Sequence, residues 1–128
     1  MSVVVAYTPD EFGRAALAHG EAEAVRRDTS LVVVNGTRGD APVDARYAHD
    51  DEMAALTSRL ESEGVQLSVR RDVTPDVAQL VLEVAGESGA ELIVVGIRHR
   101  SPVGKALMGS VSQRILLDAT CPVLAVKP

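Results

Sequence analysis

Five short runs rich in valine and leucine alternate along the chain with longer stretches in which apolar residues recur at helical spacing. Runs that are apolar at nearly every position are typical of strands buried on both faces of a parallel sheet. The sequence therefore predicts an α/β fold in the order β-α-β-α-β-α-β-α-β, an open twisted sheet with helices on both faces. Such sheets bind ligands beyond the carboxyl ends of their strands. The predicted strands are residues 2–6, 31–35, 65–71, 92–95 and 123–126.

The first helix is predicted to begin with a capping box formed by Thr8 and Glu11, with Pro9 at the first helical position. This assignment places Asp10 in the first helical turn, and the helix is predicted to run to about Arg27. Small residues at helical spacing allow a helix to lie close to a sheet. The residues predicted to face the sheet are Ala15, Ala18, Ala22 and Val25.

Turn residues mark the remaining connections. Residues 36–43 combine glycine, proline and both charge signs, which predicts a loop. Gly64 and Gly89 stand where left-handed caps end helices. Residues 65–71 alternate between apolar and polar side chains, which favours a strand at the edge of the sheet. A second helix is predicted around Met53, Leu56 and Leu60. A third is predicted to start at Thr74-Pro75-Asp76 and to continue through an apolar stripe of Val77, Leu80, Val81 and Val84. A fourth is predicted over residues 111–118.

Length and composition limit the possible classes of protein. A chain of 128 residues, 46% of them hydrophobic, supplies one core, so residues 1–128 are predicted to form a single domain. The net charge of -5 and the scarcity of aromatic residues argue against a nucleic-acid surface. No apolar run approaches the ~20 residues that cross a bilayer, and no signal sequence is recognisable. A cytoplasmic protein without a membrane partner is therefore expected.

Metal and thiol chemistry are not expected from this sequence. His19, His49 and His99 lack the short spacings that place two imidazoles on one metal. The acidic residues 50–52 are explained by the preference of carboxylates for a helix start. Cys121 precedes a buried strand, where we expect it to pack as a small apolar residue.

Residues 96–110 form a glycine-rich segment between the fourth strand and the last helix, and they carry the strongest functional signal. Gly109 lets a ligand approach the backbone, and Ser110 stands at the positive end of a helix dipole, a geometry that suits phosphate. No acidic residue occurs between Gly96 and Leu117, although several basic residues do. Two interpretations explain this local positive charge equally well: an anion-binding loop, or an ordinary turn with solvated cations. Those basic residues are Arg98, Arg100, Lys105 and Arg114.

Two well-known catalytic or phosphate-binding patterns are absent from this segment of the sequence. A Walker A loop requires glycine where His99 stands and serine or threonine where Ala106 follows Lys105. The G-x-S-x-G pattern of a nucleophile elbow is not met at Ser110. No catalytic constellation is recognisable, so an enzyme is not the favoured interpretation.

The segment resembles the ATP loop of the universal stress protein family. In that loop a strand leads into glycine, two residues, glycine, nine residues, and then glycine with serine or threonine; Gly96, Gly109 and Ser110 match. The Cys-Pro-Val strand that starts at Cys121 is also similar to this family. The resemblance implies a Rossmann-like sheet of the adenine nucleotide α-hydrolase type, with strand order 3-2-1-4-5. It also implies a homodimer joined through the last strand and, in one subclass, ATP between the ends of the first and fourth strands.

The same resemblance implies roles for individual residues. Tyr7 is included on the adenine side, although we favour its interpretation as a cap on the core. The residues implied on the phosphate side are Gly96, Arg98, His99, Arg100, Lys105, Gly109, Ser110 and Val111. Those implied on the adenine and ribose side are Ala6, Tyr7, Thr8 and Val34. The strand expected to form the dimer consists of Val123, Leu124, Ala125 and Val126.

Two positions depart from the family pattern. The ATP binders of the family place an aspartate near the end of the first strand, where this chain has residues 6–9, with Asp10 following. The second glycine of the motif is replaced by His99, although histidine is enriched at positive φ among non-glycine residues. Arg98 and Arg100 could compensate through charge-assisted contacts to phosphate oxygens.

The expected function is that of a small stress-response or regulatory protein that binds ATP or a related phosphate-bearing ligand. Two alternatives stay open at this point. One is a dimeric interaction module of the same fold that has lost nucleotide binding, and the other, with less support, is a slow ATP hydrolase. No metal cofactor is expected.

Overall fold

The five strands form one parallel sheet in the computed structural model, which describes residues 1–37, 50–98 and 109–128. The strands are β1 (Ser2–Ala6), β2 (Ser30–Thr37), β3 (Leu67–Val73), β4 (Ala90–Gly96) and β5 (Val123–Val126). The helices are α1 (Glu11–Arg27), α2 (Asp50–Ser62), α3 (Val77–Glu87) and α4 (Ser110–Asp118). The order across the sheet is β3-β2-β1-β4-β5, which confirms the order implied by the family resemblance.

Helices cover both faces of the sheet, as predicted. Successive side chains of a strand point to opposite faces, so Val3 and Val5 pack with residues of α1 and α2 whereas Val4 packs with residues of α3 and α4. In register, Val4 lies between Val32 of β2 and Ile93 of β4. The central strands are apolar at nearly every position because each of their faces is buried.

The start and the buried side of α1 differ from the prediction. The N-cap of α1 is Asp10, whose carboxylate accepts a hydrogen bond from Gly13 N at 2.9 Å, so Thr8 is not the cap. Thr8 instead donates its hydroxyl to Asp10 Oδ1 at 2.7 Å. Of the residues predicted to face the sheet, Ala15 is partly buried against the core, whereas Ala18, Ala22 and Val25 are exposed, because glycines on a different face let the helix backbone approach the sheet. The buried residues of α1 are Gly13, Ala16, Leu17, Gly20 and Ala24.

β2 extends further than predicted. Gly36 and Thr37 belong to the strand and are buried, because β3 pairs with β2 as far as Thr37 and Val73. The predicted loop therefore does not begin at Gly36, and its remaining residues 38–43 lie outside the described residues. β3 begins at Leu67 rather than at residue 65 and lies at the edge of the sheet, which confirms the edge prediction.

The caps of α2 and α3 agree with the prediction. Gly64 has φ of 81° after α2, and Gly89 has φ of 61° after α3, the left-handed conformation that favours glycine. Asp76 caps α3 by accepting a hydrogen bond from Gln79 N at 3.0 Å. Each helix therefore returns the chain to the amino end of the sheet at a defined residue, and the N-termini of α1, α3 and α4 all lie at the carboxyl end.

Candidate functional site

A cavity of about 390 Å³ lies beyond the carboxyl ends of β1 and β4. These strands are neighbours at the point where the strand order reverses, the position at which open α/β sheets bind ligands. Its volume lies in the range of small-molecule sites. The residues of the prediction that line this cavity are Ala6, Tyr7, Thr8, Val34, Gly96, Arg98, Gly109, Ser110 and Val111.

The other predicted phosphate-side residues, His99, Arg100 and Lys105, lie outside the described residues. The cavity also contains residues that the sequence interpretation missed. The two-residue extension of β2 brings Gly36 and Thr37 into the wall, and α3 contributes Val77 and Val81. For Val77 and Val81 the only sequence signal was the apolar stripe of α3, which is equally typical of a helix that packs on the core.

The N-terminus of α4 differs from those of α1 and α3. Carboxylates cap α1 and α3, whereas Gly109 stands at the N-cap of α4 and no side chain caps that helix within the described part of the chain. The first hydrogen bond of α4 runs from Gln113 N to Gly109 O at 3.0 Å. The amides of residues 110–112 therefore precede the helical ladder and stand at the positive end of its dipole, beside the cavity.

The two motif glycines, Gly96 and Gly109, differ in whether packing requires glycine at their position. A Cβ on Gly96 would lie 2.7 Å from the carbonyl carbon of Phe12, so glycine is needed there for α1 to pack over the end of β4. Gly109 has φ of -72° and ψ of 168°, an ordinary extended conformation, and a Cβ on it would meet no described atom within 4 Å. Packing within the described chain does not require glycine at 109, and this residue lines the cavity.

Asp10 lies in the wall of the cavity, which corrects its predicted place in the first helical turn. Its Oδ1 accepts hydrogen bonds from both Gly13 N and Thr8 Oγ1. A carboxylate therefore follows the first strand closely in space, although four positions separate Asp10 from Ala6 in sequence. The structure thus places Asp10 at the N-cap of α1 rather than inside its first turn, while residues 6–9 contain no aspartate.

The positive charge at the cavity is smaller than the sequence indicated. Arg98 is exposed and lines the cavity. Arg114 does not line it, because its guanidinium is directed at α3, where it contacts the Asp76 carboxylate and donates to Gln79 Oε1 at 2.9 Å. The hydrogen bond to Asp76 raises the pKa of Arg114. Arg114 was therefore wrongly counted with the basic residues that face a ligand.

Tyr7 belongs to the core as well as to the cavity wall. Its side chain is 5% exposed, and its hydroxyl donates to Glu52 Oε1 of α2 at 2.6 Å. Burial, together with the Glu52 carboxylate, raises the pKa of Tyr7. Its carbonyl accepts a hydrogen bond from Asn35 Nδ2 at 2.8 Å, and its amide donates to Val34 O at 2.8 Å. These contacts fix the floor of the cavity and agree with the core-capping interpretation.

Metal, membrane and thiol features outside the cavity add no further site in the part of the chain that the structure describes. Among the described residues, no group of three or more His, Cys, Asp and Glu side chains is arranged to hold a metal ion. In the same residues, no helix has the length and apolar character that crossing a membrane requires. Cys121 is half-buried and packs against the core beside α3 and α4, where burial raises the pKa of its thiol, as expected of a packing residue.

The parallel order and the cavity at its reversal point define an open, Rossmann-like α/β protein. The model of the Universal stress protein family matches residues 1–127. A universal stress protein from Mycolicibacterium smegmatis is 52% identical over 126 residues, which cover 98% of this chain and 97% of the relative. The chain therefore belongs to the universal stress protein family.

Solved structures of this family have the same fold. A universal stress protein from Archaeoglobus fulgidus is 27% identical with a TM-score of 0.80, and the match covers 99% of this chain and 98% of the other. The universal stress protein from Archaeoglobus fulgidus in complex with dAMP is 24% identical with a TM-score of 0.68, again over 99% and 98% of the two chains.

Proposed function

We propose that this chain binds an adenine nucleotide, with ATP as the first candidate, and acts as a cytoplasmic stress-response or regulatory protein. The observation that carries the proposal is the N-terminus of α4. It presents amides without a side-chain cap and an open glycine to a cavity between the ends of β1 and β4. Backbone amides at a helix N-terminus bind phosphate through hydrogen bonds and the helix dipole.

The phosphate end of the ligand is proposed to lie between the start of α4 and Arg98, the second residue after β4. Ser110 supplies an amide and a hydroxyl, and the exposed guanidinium of Arg98 stands at the same cavity. A guanidinium can give two parallel hydrogen bonds to phosphate oxygens. An anion is favoured at this end because Arg98 and the amides at the start of α4 both contribute positive potential there.

The nucleoside end is proposed to lie toward β2 and α3. Val34, Gly36 and Val77 give this part of the cavity an apolar wall, which suits the face of a base. Both hydrogen bonds that Asp10 accepts in the site fall on Oδ1, and Oδ2 is proposed to accept from a ribose hydroxyl. In this arrangement Asp10 would take the role that the family resemblance gives to an aspartate near the end of the first strand.

Two further observations support a nucleotide over a module that has lost nucleotide binding. The absence of an aspartate near the first strand was one reason to consider that alternative, and the presence of Asp10 in the cavity wall supports the nucleotide instead. A protein of the same fold, the universal stress protein from Archaeoglobus fulgidus, forms a complex with dAMP. The interaction module and the hydrolase become outcomes of the experiment below.

Calorimetry with ATP, ADP, AMP and adenosine on nucleotide-free protein tests the proposal. We expect saturable binding of ATP, and we expect Arg98→Met to weaken it by roughly tenfold or more, since charge-assisted hydrogen bonds contribute about 1.5–3 kcal/mol. Adenosine affinity should change little, because adenosine carries no phosphate. Arg59→Met is the matched control, because it removes the same charge from an exposed pair with Glu21 that joins α2 to α1.

The absence of saturable heat with every one of these ligands at millimolar concentration would overturn the proposal and leave the interaction module. Turnover of ATP above a mock preparation, lost in Arg98→Met, would instead indicate a hydrolase. Equal effects of Arg98→Met and Arg59→Met on ATP affinity would remove Arg98 from the site.

The chain is further proposed to form a homodimer through β5. In the sheet order, β5 pairs with β4 on one side and with no described strand on the other. Pro122 O and Val126 O accept hydrogen bonds from β4, and because alternate residues of a strand hydrogen-bond to the same side, the polar groups of Val123 and Ala125 point to the open edge. An open edge is a template for pairing with another chain.

Ala125→Pro tests this dimer, because proline removes an outward N–H without removing a bond to β4. Sedimentation equilibrium is expected to show a dimer for the wild type and a monomer, or a dimer weakened at least about tenfold, for the variant. A wild-type monomer at high micromolar concentration would contradict the proposal, as would an unchanged dimer in a variant that circular dichroism shows to be folded.

A further inference from the structure

Arg114 joins the last helix to the start of the third one. Its guanidinium contacts Asp76 through NH1, donates to Gln79 Oε1 at 2.9 Å through NH2, and faces Asp118 Oδ2 at 3.4 Å through Nε. All three guanidinium nitrogens therefore have an acceptor, and the planar group has one defined orientation. The clasp is the set of Arg114, Asp76 and Gln79.

Asp76 connects this clasp to the sheet. One of its carboxylate oxygens accepts from Gln79 N and caps α3, while the other accepts from Arg114. Two residues earlier, Thr74 N donates to Thr37 O of β2 at 2.7 Å, which holds the start of α3 at the end of the sheet. Through Asp76, Arg114 therefore fixes α4 relative to β2.

α4 is held by few contacts besides the clasp. It is nine residues long, and Ile115 is its buried residue. Near its start, Val111 packs partly buried against the core and Ser112 Oγ donates to Gly96 O at 3.5 Å. One wall of the cavity is nonetheless made by α3 and α4 together, with Val77 on one helix and Val111 on the other. The width of this wall and the direction of the amides at the start of α4 therefore depend on how the two helices are held together.

We propose that Arg114 is a positioning residue of the nucleotide site: through the clasp it sets the place of the α4 N-terminus, and it does not contact the ligand. The inference rests on the proposed function. It accounts for the orientation of Arg114, which is close in sequence to the proposed phosphate-binding residues but has its guanidinium turned away from the cavity. It also predicts that phosphate-bearing ligands depend on Arg114 more than the nucleoside does.

Single and double variants test the clasp. Asp76→Asn keeps an oxygen for Gln79 N and thus the α3 cap, but places an amide donor against the guanidinium. Arg114→Met and Asp76→Asn are each expected to weaken ATP binding by roughly two- to thirtyfold, the range seen for residues that act on a site without touching the ligand. Adenosine affinity should change by less than about twofold in each. The double variant should be no weaker than the weaker single variant, because both remove the same clasp.

Two results would overturn the positioning role. If Arg114 bound phosphate directly, Asp76→Asn would release it and leave ATP affinity unchanged or higher. Additive losses in the double variant would likewise show two independent effects. Arg59→Met serves as the control again, and its ATP affinity should equal that of the wild type.

Amide hydrogen exchange gives a measurement that needs no ligand. Exposed ion pairs contribute little to global stability, so Arg114→Met should fold normally. The amides of Gln113 to Leu117 should nevertheless exchange at least about threefold faster than in Arg59→Met. Unchanged exchange in α4 would overturn the clasp. Faster exchange in a protein whose wild type binds no nucleotide would contradict the proposed function while confirming that Arg114 positions α4.

Discussion

Gly13→Ala is expected to destabilise the protein by at least about 3 kcal/mol, the upper end of the cost of overpacking. A Cβ on Gly13 would overlap the carbonyl oxygen of Thr8 and lie 2.6 Å from its carbonyl carbon. These are backbone atoms, and they cannot rotate away as a side chain can. Urea denaturation followed by circular dichroism measures the loss as a lower midpoint at an unchanged slope.

The clash at Gly13 has a local cause. Gly13 N donates to Asp10, and this bond draws the first turn of α1 onto the residue that follows Tyr7. Gly86→Ala is the matched control, because Gly86 is an exposed helical residue whose Cβ would meet no described atom within 4 Å. Alanine there should raise stability by about 0.5–1 kcal/mol. Similar effects of alanine at both positions would contradict the close approach of α1.

Gly109→Val is expected to abolish ATP binding in a protein that stays folded. The backbone of Gly109 is extended, and its surroundings among the described residues are open, so valine fits the protein. Stability should change by less than about 1 kcal/mol, the usual size of a substitution at a helix N-cap. In the cavity, however, we expect the valine side chain to occupy the path proposed for phosphate toward the amides of α4. Calorimetry measures the affinity, and urea denaturation of the same sample measures the stability.

Gly86→Val is the control for this second experiment. It also adds a β-branched side chain at a glycine without close neighbours, but on α3 and away from the cavity lining. It should bind ATP as the wild type does. Retained affinity in Gly109→Val would remove Gly109 from the site, and loss of the fold would show that the protein itself requires glycine there.

The strands were predictable from the sequence because strands buried on two faces need apolar residues at nearly every position, whereas their order across the sheet came from the family resemblance. The motif around Gly96 and Gly109 likewise located one wall of the cavity. The buried side of α1 was not predictable, since Gly13 and Gly20 carry no apolar side chain and leave no mark in a hydrophobic pattern. Yet a Cβ on Gly20 would overlap Val5 Cγ2 in the core.

Two further errors have physical causes. Thr8 and Asp10 are both good cap residues, and choosing between them needs the geometry of the turn that places the carboxylate on Gly13 N. Asp76, the partner of Arg114, lies 38 positions earlier in the chain. The charge of Arg114 was therefore evident from the sequence, whereas the direction of its guanidinium was not. The first error concerns a local contact between residues three apart at the cavity wall, and the second concerns a tertiary contact between α4 and the start of α3.

The cavity draws its lining from widely separated parts of the chain, from Ala6 near the start to Ile115 near the end. It exists only when the strands have assembled, and an unfolded chain has no counterpart of it. A ligand held there adds its binding free energy to the stability of the native state, about 2.7 kcal/mol at a concentration one hundred times Kd. For a small domain with a total stability of roughly 5–15 kcal/mol, this is a considerable share. Saturation of the proposed site would therefore lower the population of the unfolded state about a hundredfold and slow proteolysis through that state, so that the lifetime of the protein would follow the abundance of the ligand.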